Sequence, residues 1–313
     1  MRKNRKFEYV DSHKSCFGTD FGMTRLASLR EEYHKKIGEQ IVRRTGKSRE
    51  TFPNFADGSS RSSIEIAKSI SERLGFSPKE EPIVGQTAGN LFEKLTAEFI
   101  ENCFQALQHL RPGSWQFLTA QTSISNFVQY RHLDTLVSLV KADPTLASVL
   151  GHGYIITPDI VVCRKPISDA EINRDTEFVR GTQDECARLT PLRQVNHPGG
   201  ASICFLHASI SCKWTIRSDR SQNTRTEALN LIRNRKGHCP HIVAVTAEPL
   251  PMRIASLALG TGDLDCVYHF ALPELKTACK EIQHGEDQLE MLETMIKGNR
   301  LRDISDLPFD LVT

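Results

Sequence analysis

Residues 207–237 read HASISCKWTIRSDRSQNTRTEALNLIRNRKG, and the fold is decided here. Leu206, Ala208, Ile210 and Cys212 alternate with His207, Ser209, Ser211 and Lys213. A period of two predicts a half-buried strand with Ser211 and Lys213 on one face. A lysine on a mostly apolar strand is costly unless it has a partner or a task. Four residues on, Arg217-Ser218-Asp219-Arg220 reads as a charged turn. A helix over 222–236 follows, carrying Arg225 and Glu227, with Gly237 as its C-cap. Two guanidinium forks flank one acceptor, beside a lysine and a carboxylate. Such a grouping suits a nucleic-acid reader placed next to a site of phosphate chemistry.

The rest of the chain sets the frame. With 313 residues, 39% hydrophobic and 25% charged, it reads as a soluble globular protein. The net charge of +2 does not by itself argue for nucleic acid, but its distribution is uneven. Six basic residues between Arg217 and Lys236 face only Asp219 and Glu227. A second basic cluster, Arg2, Lys3, Arg5 and Lys6, opens the chain. Either cluster alone is equally well a solvated face. The nine cysteines are scattered, odd in number and without a CxxC. Cys163, Cys212 and Cys266 sit in apolar runs, which suits buried reduced thiols better than disulfides or zinc. His238-Cys239-Pro240-His241 lacks a second ligand cluster and is a weak metal signal. No apolar leader is evident, and no run approaches the roughly 18 residues of a membrane span. The expectation is a cytoplasmic protein with no membrane partner.

Residues 1–23 read as a flexible basic arm and residues 24–313 as one domain. A helix is expected over 24–44. A loop over 45–61 ends in Ala56-Asp57-Gly58-Ser59-Ser60-Arg61, and a helix follows over 62–76. A second loop ends in Gly85-Gln86-Thr87-Ala88-Gly89, before a helix over 90–109 with the stripe Phe92, Leu95, Phe99, Cys103 and Leu107. Glu93 lies off that stripe near the helix start, where a carboxylate is ordinary dipole complementation. Strands are expected over 115–122, 154–163, 241–248 and 264–270, with helical chain over 123–150. Asp159 interrupts the β-branched run of the second of these strands, sharing a face with Thr157 and Val161. Between 164 and 204 only a short helix near 168–180 and a loop over 193–200 can be read. Helices over 251–258 (with Arg253), 273–283 and 286–298 complete the chain, and Gly260-Thr261-Gly262 reads as a turn. The alternation gives an α/β fold with helices on both faces of a sheet.

Phosphodiester hydrolysis near neutral pH needs charge neutralisation, an activated water and a stabilised leaving oxygen. Carboxylates holding one or two Mg²⁺ ions beside a lysine supply all three. The sequence offers Asp159, Lys213 and Glu227, with Glu93 able to join from the earlier helix. Pro158-Asp159 and Ser211-x-Lys213 match a Pro-Asp … Asp/Glu-x-Lys pattern with one change, a serine where the second acid is expected. A hydroxyl is a poor Mg²⁺ ligand, so Glu227 is the natural substitute. By themselves these two fragments are a weak signal.

Ser211-Cys212-Lys213, Arg217-Ser218-Asp219-Arg220 and Glu227 together resemble the NgoMIV-type (type IIF, CCGG) family of restriction endonucleases. The likeness runs from about residue 55 to the C-terminus. It includes Gly85-Gln86-Thr87, Phe92-Glu93, Thr157-Pro158-Asp159, Asn234-Arg235-Lys236-Gly237, Val245-Thr246-Ala247-Glu248-Pro249 and Asp303-Ile304-Ser305-Asp306. It implies a restriction-endonuclease-like, PD-(D/E)xK core with a central mixed β-sheet flanked by helices. It also implies roles. Asp159 binds metal directly, helped by the carbonyl of Cys212. Lys213 orients the attacking water and the scissile phosphate. Glu227 replaces the motif's acid at the metal, Glu93 is an additional acid, and Ser211 holds the motif position.

Guanine offers O6 and N7 to a bidentate arginine in the major groove, and cytosine offers its amino group to a carboxylate. Arg217 and Arg220 can therefore take guanines while Asp219 accepts from cytosines. A two-fold dimer then reads CCGG. The resemblance assigns the outer pair to Asp57, Ser59, Gln86 and Arg253. The expectation is a Mg²⁺-dependent endonuclease, with two ions per active site, cutting double-stranded G↓CCGGC to a four-base 5′ overhang. Homodimers would assemble into a homotetramer engaging two DNA copies. The alternatives are a nuclease for another CCGG-containing site such as RCCGGY, and a catalytically silent DNA-binding protein. Two departures from the family are a longer basic arm and a longer loop around 183–200.

Overall fold

The computed structural model describes residues 22–47, 50–119, 122–143, 145, 148, 156–181, 186–197, 202–216, 218–260, 262–283 and 285–313. Most of the basic arm, parts of the 183–200 loop, and Arg217 and Thr261 lie outside the described residues.

Helix α1 (Arg25–Gln40) starts where the Thr24 hydroxyl accepts the Ala27 N–H, and buries Leu29, Tyr33 and Ile37 at four-residue spacing. Strands β1 (Arg44–Lys47) and β2 (Glu50–Pro53) form an antiparallel hairpin inside the stretch expected to be loop. Two four-residue strands are too short to show a period. Helix α2 (Arg61–Arg73) is capped by Ser60 and buries Ile66 and Ile70. Helix α3 (Gly85–Leu107) begins five residues earlier than expected. Gln86 therefore lies in its first turn. Glu93 lies in its third, beyond the reach of the helix dipole, so dipole complementation does not explain that carboxylate.

The core is a six-stranded sheet in chain order: β3 (Trp115–Leu118), β4 (Ile160–Arg164), β5 (Phe205–Lys213), β6 (His241–Thr246), β7 (Cys266–His269) and β8 (Leu301–Asp303). β4 pairs antiparallel with both β3 and β5, whereas β5 to β8 run parallel to one another. The sheet is thus mixed, as expected. β5 keeps the alternation read from the sequence, with Leu206, Ala208, Ile210 and Cys212 buried. β6 is buried along nearly its whole length, which explains its unbroken apolar run. Cys163, Cys212 and Cys266 are buried free thiols.

Several boundaries move. The helical stretch expected over 123–150 is two 3₁₀ turns, Ile124–Asn126 and Val128–Tyr130, followed by α4 (His132–Ala142). The strand expected from 154 begins only at Ile160, so Asp159 occupies a bend just before it. The helix expected near 168–180 is one turn, α5 (Asp169–Ile172), after which side chains replace secondary structure. The Asn173 amide oxygen accepts the N–H groups of Phe178 and Val179. Arg193, only 2% exposed, grips both oxygens of Asp169 and the carbonyl of Gly181. Helix α6 (Ser218–Asn234) starts four residues early and absorbs Asp219 and Arg220 from the expected turn. It also ends three residues before Gly237. That glycine, at φ +98°, is a left-handed turn residue and not the cap.

Helices α7 (Pro251–Ala258), α8 (Leu272–Glu281), α9 (Glu286–Lys297) and α10 (Leu307–Val312) complete the flanks of the sheet. α3 packs against β5, and α1 and α10 pack on α3. Arg30 of α1 ties these layers together. Its guanidinium bonds both oxygens of Glu274 at 2.9 and 2.7 Å and both of Asp303 at 3.1 and 3.0 Å. The guanidinium holds both carboxyls below their usual range against the opposing effect of burial.

Arg30→Ala strands two partly buried carboxylates and should cost ~3 kcal/mol in urea unfolding at pH 7. Both carboxyls have folded pKa values below their unfolded ones. Their contribution is therefore complete above the unfolded range, near 4, and is lost as pH falls through the folded values. The gap between wild type and Arg30→Ala should close in acid, and a gap that is constant from pH 7 to 3 would contradict the assignment.

Candidate active site and nucleic-acid interface

The site begins where two strands part company. The last β4–β5 pair is Ile160 with Ile210, yet β5 runs on to Lys213, paired only with β6. Residues 211–213 would leave one strand edge without a partner, and an unmade peptide bond there is costly. Asp159 fills the gap. Its Oδ2 accepts the Cys212 N–H at 2.7 Å, the Lys213 ammonium at 2.9 Å and the Ser211 hydroxyl at 3.4 Å. Lys213 sends its own carbonyl the other way, to the Ala247 N–H. A strand residue projects N–H and C=O to the same side, so the Cys212 carbonyl faces the Asp159 edge. Trp214 packs against Phe55, Phe92 and Phe270, with ring centroids 5.5, 5.2 and 6.2 Å away. The Phe92 contact anchors α3 one residue before Glu93.

The Ser211 hydroxyl also meets that of Thr224 at 3.4 Å, docking α6 on the end of β5. Glu227 is three residues further along the same helix face. Lys213 and Asp159 both act on its carboxyl. Burial raises the Glu227 carboxyl, Lys213 pulls it down and Asp159 pushes it up. The half-buried Glu93 is pushed up to about 7, by burial first and the Asp159 charge second, with Lys213 opposing. Asp159, Glu93 and Glu227 thus share one electrostatic neighbourhood with a single lysine. Sequence alone separates them by up to 134 positions. Three carboxylates against one ammonium leave an excess of negative charge. Among the described residues no three His, Cys, Asp or Glu side chains stand close enough together to hold a metal ion, but the hard oxygens of Asp159, Glu227 and the Cys212 carbonyl are of the kind Mg²⁺ takes.

A second group lies around a cleft of about 1000 Å³ lined by Asp57, Gln222, Arg225, Met252 and Arg253. Asp57 Oδ1 accepts the Ser59 N–H at 2.9 Å and the Ser59 hydroxyl at 2.7 Å, while Oδ2 accepts from the Arg253 guanidinium. Those donors, the Ser59 hydroxyl foremost, bring the Asp57 carboxyl down to about 2. Three of the four residues expected at the outer base pair therefore form one hydrogen-bonded unit. Gln86 is exposed on the first turn of α3 and is not part of that network. Asp219 and Arg220 sit on the first turn of α6, about one turn before Gln222; Arg217 just before them is outside the described residues.

Sequence reasoning gave no role to three residues of this region. Arg225 bridges to the buried Asp263 at 3.0 Å and lies so close to Gly260 that a Cβ there would come within 3.1 Å of its guanidinium. Glu248 is 1% exposed and sits just past β6. An acid at the end of the apolar run HIVAVTAE was the available signal.

Comparison with known proteins places these features in context. The family model described as NgoMIV restriction enzyme matches residues 33–313. The chain is 48% identical over 286 residues to the type II restriction enzyme NgoMIV of Neisseria gonorrhoeae, covering 90% of this chain and 96% of that one. Among solved structures it is similar to the type IIF restriction endonuclease Bse634I with cognate DNA, at 13% identity and a TM-score of 0.33, over 82% of this chain and 98% of that one. It is also similar to Bse634I restriction endonuclease, at 13% identity and a TM-score of 0.31, over 82% and 97%. At these scores the two structural likenesses carry no weight for the site.

The electrostatic coupling can be read directly. Glu93 should titrate near pH 7 in carboxyl ¹³C NMR. Asp159→Asn should lower that value, since a like charge is removed, and Lys213→Ala should raise it further. A Glu93 titration that neither variant moves would separate it from the site.

Proposed function

The chain belongs to the NgoMIV restriction-enzyme family, and from that membership we propose that it cuts double-stranded DNA at G↓CCGGC, leaving a four-base 5′ overhang. It is a type II restriction endonuclease, a DNA-binding phosphodiester hydrolase; a 48% identical relative over 90% of the chain supports this. Residues 24–313 act as the single catalytic and DNA-binding domain. The observation that carries the chemistry is the Asp159 carboxylate fixed against Cys212 and Lys213 at the open end of β5.

Mg²⁺ is the ion we assign, two per active site, held by Asp159, Glu227 and the Cys212 carbonyl. When bound it supplies charge neutralisation at the phosphate and lowers the pKa of water. The protein's own groups do the rest. Lys213 gives one of its three donors to Asp159 and keeps others for the scissile phosphate and the attacking water. Glu93 is an additional acid able to exchange a proton near neutrality. Ser211 steadies Asp159 and Thr224 without binding metal strongly.

Arg217 and Arg220 read the guanines of CCGG, and Asp219 reads the cytosines. Asp57, Ser59 and Arg253, joined in one network beside α6, report on the outer pair together with Gln86. A palindromic site implies a two-fold dimer, and two dimers form a tetramer that engages two DNA copies. None of the described helices is long and apolar enough to cross a membrane. The enzyme works in the cytoplasm, where the DNA is.

Plasmid carrying GCCGGC, incubated with protein and Mg²⁺, should yield ends that sequence as 5′-CCGG overhangs. Cutting at RCCGGY at large would widen the site, and cutting at sites without CCGG would refute it. Lys213→Ala should slow cleavage on the order of 1000-fold while leaving specific binding intact. Asp219→Ala should cost ~1–3 kcal/mol of specific binding with little change in non-specific binding. A one-site plasmid should be cut more slowly than a two-site plasmid; equal rates would argue against the tetramer.

A further inference from the structure

Glu248 is a buried acid that the chemistry above does not use. Both of its oxygens are committed. Oε2 accepts the Ile216 N–H at 2.9 Å, and Oε1 accepts the Leu250 N–H at 3.2 Å. Oε1 also lies 4.0 Å from the Arg253 guanidinium, which in turn holds Asp57. Its own peptide is fixed as well: the Glu248 N–H donates to the Thr246 hydroxyl at 3.1 Å, and its carbonyl lies 3.2 Å from the His269 ring nitrogen. Burial pushes the carboxyl up to about 7, with the two peptide N–H groups and Arg253 pulling it down.

The partners lie at telling positions. Ile216 immediately precedes Arg217 and the start of α6. Leu250 is the residue at the head of α7, two positions after Glu248 and three before Arg253. One side chain therefore spans the segment leading into the inner-base reader and the helix carrying the outer-base reader. A buried carboxylate is an expensive connector, since two apolar residues would hold the fold without desolvating a charge. Its advantage is direction. A carboxylate accepts at two fixed oxygens and so fixes the two segments at one spacing.

We infer that Glu248 is a positioning residue for specificity, setting the register between the CCGG reader of α6 and the outer-pair reader built from Arg253, Asp57 and Ser59. This rests on the base-reading assignment above. Without the tie, the inner reader keeps its anchorage through β5 and the Ser211–Thr224 contact, and α7 stays packed in the core, but the head of α7 loses its fixed spacing to Ile216. Discrimination at the outer pair should then fall, and discrimination at the inner pairs should not.

Glu248→Gln keeps the shape and replaces one acceptor with a donor, so either Ile216 or Leu250 loses its partner. Wild type and variant are assayed for kcat/KM on three duplexes, GCCGGC, ACCGGT and GCATGC, at a temperature where circular dichroism shows both folded. The preference of wild type for GCCGGC over ACCGGT should drop about 10-fold or more in the variant, within the range of one lost base-pair contact. The preference over GCATGC should hold. If Glu248→Gln is not folded at that temperature, Glu248→Asp, which keeps the charge but shortens the reach, reads the same ratio. A parallel loss on all duplexes, in the variant that folds, overturns the inference, because a merely structural acid would lower activity without redistributing it. Wild type that shows no preference for GCCGGC over ACCGGT refutes the outer-pair reading instead, and the two failures are thereby told apart.

Discussion

The carboxylate of Asp159 against the peptide N–H of Cys212 is the contact on which the site depends. It exists because β4 stops pairing at Ile160 while β5 continues to Lys213. A strand that outruns its neighbour leaves peptide groups in want of partners. A charged side chain supplies one here, so the backbone itself fixes an acid next to a lysine. Everything else in the cleft is placed relative to that pair. Thr224 brings α6 and Glu227, and the stacking of Phe92 on Trp214 brings α3 and Glu93.

The electrostatics of the molecule divide into two kinds of carboxylate. Asp57, Asp303 and Glu274 have donors in hand and are held low. Glu93, Glu227 and Glu248 are held high, chiefly by burial. Acidification therefore weakens the first group and relieves the second, since the folded state binds protons more readily at a raised carboxyl. Asp306, at the head of α10, is also raised by burial, so a raised carboxyl is not by itself the mark of a site; Glu93 and Glu227 stand out because they share the neighbourhood of Asp159 and Lys213.

The central strand, its alternation and the residues Ser211, Lys213 and Glu227 were legible in the sequence because β5 is nine residues long and half-buried. Period two cannot hide over that length. β1, β2 and β8 were not legible, since RTGK, ETFP and LRD are too short to show a period and lack the apolar run that marks the equally short β7. The segment after β4 was opaque for another reason. Its order comes from Asn173 and Arg193 bonding to backbone and to Asp169, and such contacts leave no periodic trace. Dipole complementation offered a bland account of Glu93, beside its reading as an additional acid, because the glycines at 85 and 89 resemble loop, whereas α3 starts at the first of them. Glu248 was visible as a letter but not as a link. Its partners are peptide N–H groups, which every sequence has everywhere.

An open strand end is also a hazard. Unpaired peptide edges invite another chain to add a strand, and proteins commonly guard them with charge. The Asp159–Lys213 pair stands at such an edge, so the groups proposed for hydrolysis are of the kind that discourages edge-to-edge association. A chain that lost this pair of charges would lose a guard at the strand end, and selection against aggregation would press on the same two residues as the proposed selection for cleavage.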